Sequence, residues 1–335
     1  MKRPQNIIAE GGLTLPVAAL FGIVVWLLSG LVQQRLWLQL ACFVATVYVL
    51  IELTNQNALL RVRSRMVSST FIVLSCAASF LLPQMTGGIV QFCFVMAFLL
   101  LFQTYQTSHS IGRTFYAFTA IGLASIAFVH VLWYVPVLWI LMATQLQSLN
   151  WRTWLTSLLG LAMPYWFALL WFLLPFNLSD EWTTDFTPLA DHFSKLADIA
   201  IQSPITSHLF LGGLLVFILT IILATIGMAH FWQYSFEDKI RIRLLYGFFV
   251  AFSVFCLVWI CLQPQLYSIL LRILIVCASP LIAHFFVFTT SRKATITFIV
   301  TIVLAVFLTI LNIFDIQWGQ TASFFTSIWN GLLTF

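Results

Sequence analysis

Long apolar runs separated by short polar joints dominate the chain and limit what it can fold into. In order, the runs fall at about 13–32, 36–53, 67–84, 88–104, 114–128, 131–147, 154–175, 208–230, 244–262, 267–288 and 294–314. A helix needs roughly 20 apolar residues to cross a hydrocarbon core about 30 Å thick. Backbone groups cannot stay unpaired in hydrocarbon, and the runs lack the strict alternation of barrel strands, so helices are expected. Of the 335 residues 61% are hydrophobic and 7% charged, against roughly 25% charged in a soluble domain. A water-soluble interior of this size cannot hide that much apolar surface, so lipid is expected to receive it. The expected fold is all-α: a polytopic integral membrane protein with about eleven transmembrane helices (10–12), residues 1–335 forming a single transmembrane helical domain.

Orientation follows from the cations. The stretch 114–147 would reach about 51 Å as one helix, well past the core, so it is expected to cross twice. With a cytoplasmic N-terminus, Lys2, Arg3, Arg61, Arg63, Arg65, Arg113, Arg152, Lys239, Arg241, Arg243, Arg292 and Lys293 then lie inside. Arg35, Lys195 and Arg272 lie outside or near the outer face, a split of 12 to 3. A single crossing flips everything downstream and gives 8 to 7. The excess of Lys and Arg in cytoplasmic loops favours the hairpin, with its bend expected near His130–Trp133 and Pro136 early in the second helix.

The same topology puts 176–207 outside as a periplasmic acidic loop, with Asp180, Glu181, Asp185, Asp191 and Asp198, half of all the acids. Residues 189–201 carry apolar side chains at helical spacing and suit a short helix on the outer surface. The amphipathic C-terminal tail, 315–335, holds Trp318, Phe324, Phe325 and Trp329 and suits an interfacial helix or a twelfth span. Gly12–Val32 is too long for the apolar core of a cleaved signal and reads as a retained first span.

Two stretches are candidate sites. Arg61, Arg63 and Arg65 stand in one short loop between two spans. Their plain role is orientation and attraction to anionic headgroups; their sharper role is binding a lipid-linked phosphate, since guanidinium grips phosphate with paired donors. Glu52 is placed to orient one of them. On the outer side Asp180, Asp185 and Asp191 with His192 are weak candidates for catalytic general-base work, beside the plain reading of solvated loop acids. His130, His230, His284 and Arg272 fall within or near spans, where ionisable groups are functional candidates; Arg272 is expected to snorkel outward. The six cysteines lie in apolar runs without metal spacing, and read as small packing residues. No metal or other cofactor is expected. The formal charge of +5 is spread between apolar runs, which suits a membrane and not nucleic acid.

Glu52-Leu-Thr-Asn followed by Leu60-Arg-Val-Arg-Ser-Arg65, and the stretch 118–175 with IGLASIAFVHVLWYVPVLWI, LNWRTWL and LLGLAMPYWFALLWFLLP, resemble an uncharacterised family of polytopic inner-membrane proteins found in Bacteroidota. The resemblance spans roughly 50–175 and implies a location in the cell envelope. The second stretch also resembles, more faintly, the central helices of GT-C membrane glycosyltransferases, which use polyprenyl-phosphate sugars. Those enzymes place a catalytic acid in the first outer loop, here about Gln33–Arg35, which holds none. The expected function is therefore a multi-pass protein of the bacterial inner membrane, an accessory in envelope or lipid-linked glycan biogenesis. Its expected partners are membrane lipids, lipid-linked intermediates among them. The alternatives are a GT-C-like transferase and a solute transporter.

Overall fold

The structure is a computed structural model that describes residues 8, 11–62, 64–107, 109–173, 187–197 and 211–333, without the side chains of 170–173, 187–189 and 315–333. Among these residues the regular structure is entirely helical. The helices are α1 (Thr14–Leu28), α2 (Trp37–Asn57), α3 (Met66–Ala77), α4 (Met85–Phe102), α5 (Ile111–Ala127), α6 (Tyr134–Thr144), α7 (Trp151–Leu173), α8 (Thr187–Ser194), α9 (Leu211–Tyr234), α10 (Ile240–Leu262), α11 (Tyr267–Phe288) and α12 (Arg292–Leu333). Within the described residues each apolar run contains a helix. Six of the described helical stretches are long and apolar enough to cross a membrane: Trp37–Asn57, Met85–Phe102, Leu211–Glu237, Ile240–Leu262, Pro264–Phe288 and Arg292–Phe314. The apolar helices Thr14–Leu28, Met66–Ala77, Ile111–Ala127 and Val129–Thr144 are shorter.

The helix α11 is the axis of the bundle. It is buried along nearly its whole length and packs on α3, α4, α9 and α10. A zipper of rings joins α4, α6 and α10. Phe94, Phe98 and Phe102 recur every four residues on one face of α4, where such spacing stacks side chains in a row. Their rings meet Phe248, Phe249 and Phe252 of α10 at 5.1–6.2 Å, and Phe94 meets Tyr134 of α6 at 5.3 Å. Elsewhere backbones touch through glycine. A Cβ on Gly160 of α7 would stand 2.5 Å from the Phe115 carbonyl of α5, and one on Gly122 of α5 would stand 2.7 Å from the Leu161 carbonyl. Small residues permit this approach where lipid offers helices no hydrophobic drive to associate.

The outer helices present apolar residues outward. On α1 these are Val17, Leu20, Val24 and Leu27, and on α12 Ile296, Ile299, Val303, Phe307 and Ile310. Such stripes recur at helical spacing on the side away from the core, and water does not sustain them at this extent. Several buried hydroxyls are satisfied within their own helices, as in Thr54 to the Leu50 carbonyl (2.8 Å), Thr220 to Val216 (2.8 Å) and Ser279 to Ile275 (2.6 Å).

The chain breaks between α5 and α6 in a 3-10 turn at Val129–Trp133, after extended backbone at Phe128. Pro136 falls in the first turn of α6, where its missing N–H has no intrahelical partner to lose. Two runs depart from expectation. The run 67–84 is not one helix: α3 ends at Ala77, a 3-10 turn follows at Ser79–Leu81, and α4 begins at Met85. The last run does not stop near 314. Its helix continues to Leu333, and 42 residues at 1.5 Å each give about 63 Å, twice a hydrocarbon core.

Candidate functional site

Contacts between loops define two ends of the bundle. At one end Arg241 donates to Asn57 Oδ1 (2.9 Å), the Gln106 amide to the Leu146 carbonyl (2.9 Å), and Arg113 to the Gln103 carbonyl (2.7 Å). This end also carries Arg61, Arg65, Arg152, Lys239, Arg243, Arg292 and Lys293, and we call it the basic end. At the other end Gln39 donates to the Pro83 carbonyl (3.2 Å) and Tyr267 to that of Gly213 (2.7 Å).

The basic end holds a chain of ionisable groups that enters the bundle. The backbone leaves α2 at Ala58 in the left-handed region (φ 46°), and this turn delivers Arg61 across to the joint between α9 and α10. Arg61 Nε donates to Asp238 Oδ1 at 2.6 Å and Nη1 to Glu237 Oε2 at 3.0 Å. Its guanidinium lies 5.0 Å from the centre of the Phe288 ring, a favourable placement for a cation on an aromatic face. The second oxygen of Asp238 accepts from Nε2 of His284 at 3.2 Å. Nδ1 of His284 faces Nδ1 of His230 at 3.3 Å. His284 is fully buried, and the Asp238 side chain is 1% exposed. Tyr246, Phe231 and Phe288 pack their rings 4.7–5.8 Å from His284, and Tyr234 stacks on His230 at 4.7 Å.

Burial pushes the Asp238 carboxyl up, but the hydrogen bonds from His284 and Arg61 outweigh it and hold the group below its usual range. The bond to Asp238 raises Arg61, which stays charged. Because a carboxylate accepts, His284 carries its proton on Nε2. One ring then donates to the other between the two Nδ1 atoms.

The sequence candidates are distributed as follows. Arg61 is the outer end of this chain. Arg65 donates to Asn55 Oδ1 at 3.3 Å, and Arg63 lies outside the described residues. Among the described residues Glu52 accepts from Gln56 at 2.6 Å and bonds neither Arg61 nor Arg65. Asp180, Glu181 and Asp185 lie outside the described residues. Asp191 is exposed on α8. His192 on the same helix donates from Nε2 to the Ser125 carbonyl at 3.0 Å, beside Tyr165, whose hydroxyl bonds Ser125 Oγ at 2.8 Å. These contacts dock α8 on the ends of α5 and α7. Asp238 and Glu237 were not anticipated as partners of Arg61. The available signal was an acid pair followed at once by Lys239, interrupting two long apolar runs. Among the described residues no group of three or more His, Cys, Asp or Glu is arranged to hold a metal ion.

No family model, curated protein or solved structure matches the chain. The resemblances above rest on their own stretches of sequence alone.

Proposed function

We propose that this chain is a multi-pass protein of the bacterial inner membrane, crossing about eleven times with its N-terminus in the cytoplasm. In this reading it is a non-catalytic accessory of envelope biogenesis whose basic end holds the phosphate of lipid-linked glycan intermediates. The observation that carries the proposal is the gathering of cations from five separate joints at one end. Arg113, Arg152, Lys239, Arg241, Arg292 and Lys293 are exposed there, against the acids Glu52, Glu237 and Asp238. Cations beside an anionic lipid surface contribute on the order of 1 kcal/mol each, and their excess marks the cytoplasmic face. Arg61, already matched by two carboxylates, serves as the anchor of this face and leaves phosphate contact to its neighbours. The transferase reading finds less support, since Asp191 is exposed.

The test is a titration of the purified chain in mild detergent with a polyprenyl phosphate and with the matching uncharged polyprenol. The phosphate is expected to bind at least 10-fold tighter. Changing Arg65, Arg152, Lys239 and Lys293 together to Gln is expected to remove that preference. Equal binding of the two lipids by the unaltered chain would overturn the proposal.

A further inference from the structure

At the end opposite the basic cluster, α11 carries Arg272 into the bundle. Sequence position suggested a side chain reaching outward, but Arg272 is only 6% exposed. It is held by neutral acceptors. Nη1 donates to Gln91 Oε1 at 3.3 Å, and Nη2 donates to the carbonyls of Leu81 and Gln84, the latter at 3.4 Å. These carbonyls are available because the chain unwinds between α3 and α4. Gly87 of α4 gives the guanidinium its place, since a Cβ there would stand 2.6 Å from Nε.

Two donors remain over. Arg272 Nε and Ser75 Oγ are buried and have no hydrogen-bond partner among the described residues. Both residues line one cavity of about 10 Å³, whose other walls are Phe43, Leu81, Leu82, Gln91 and Ile275. That volume takes a single water-sized occupant. Among the described residues none of the hydrogen-bond partners of Arg272 is a carboxylate. A guanidinium in such surroundings carries charge that neutral acceptors solvate but do not neutralise. A water in the cavity would satisfy donors and leave the charge as it was. A monatomic anion would do both.

We propose that Arg272 Nε and the Ser75 hydroxyl form a binding site for one halide-sized anion, chloride being the abundant example, at the junction of α3, α4 and α11. The cavity excludes phosphate, sulfate and carboxylates by size. This site is separate from the basic end and independent of what binds there.

The experiment measures equilibrium binding of radioactive chloride to the purified full chain in detergent, at constant ionic strength with gluconate as the replacement anion. One saturable chloride per chain is expected, displaced by bromide and not by gluconate or sulfate. The unfolding midpoint is expected to rise with chloride concentration and not with gluconate. Ser75→Ala removes a hydroxyl that bonds nothing else, and should leave the fold intact while weakening chloride binding at least 10-fold. Arg272→Gln should abolish it, and the Ser75→Ala result stands whether or not that variant folds. An unaltered chain with no saturable chloride, and equal unfolding midpoints in chloride and gluconate, would show an occupant no more than water and overturn the proposal. Unchanged binding in Ser75→Ala would overturn the two-donor site.

Discussion

Asp238→Asn tests whether the buried chain holds the basic end together. The substitution keeps the shape of the side chain and removes its charge. Asp238 accepts from Arg61 at 2.6 Å and from His284 at 3.2 Å. Hydrogen bonds to charged groups contribute about 1.5–3 kcal/mol each. The Arg61 side chain is 34% exposed and regains water when its partner is neutral, so its share falls toward the 1 kcal/mol or less of a surface pair. His284 is fully buried and regains nothing, although the Asn carbonyl still accepts from it. The net loss is about 2 kcal/mol for Asp238→Asn and about 3–5 kcal/mol for Asp238→Ala, which strands buried donors. The assay is reversible unfolding in mixed micelles followed by helicity, run from pH 7 down to pH 3. A carboxyl held below its usual range stabilises the fold fully above about pH 4 and loses that contribution as pH falls through its lowered value. The unaltered chain should lose stability over that window, and Asp238→Asn should lack this component. An Asn variant within about 0.5 kcal/mol of the unaltered chain, or one with the same acid slope, would refute the reasoning.

Gly160→Ala places a Cβ 2.5 Å from the Phe115 carbonyl and should force α5 from α7, costing about 1–3 kcal/mol in the same unfolding assay. Phe98→Ala empties the centre of the ring zipper, where Phe98 meets Phe94, Phe248, Phe249 and Phe252. A loss of about 3–5 kcal/mol is expected by unfolding titration. Reporter fusions at positions 63 and 190 should report opposite sides of the membrane; the same side for both would undo the proposed topology.

What the amino-acid sequence determined by itself was the all-helical class and the gathering of Arg61, Arg65, Arg113, Arg152, Lys239, Arg241, Arg292 and Lys293 at one end of the bundle. Both are additive, one-dimensional properties. A run of apolar side chains must pair its own backbone wherever oil surrounds it, and alternating helices carry alternate joints to the same end. The bend at Val129–Trp133 was legible for the same reason, since an unbroken helix there would overshoot the core. Arg61 was legible as a candidate, but its partner was not: Asp238 lies 177 residues away in sequence. Tertiary structure alone decided that pairing, and with it the meeting of His230 with His284. Helical periodicity says which side chains share a face, but not which foreign helix that face meets. A hydrogen bond forms only within about 3 Å, so packing angles and glycine contacts select the partners. Arg272 shows the limit most plainly. Its place near the end of a run suggested an outward reach, yet the unwound joint between α3 and α4 supplies carbonyls that hold it inside.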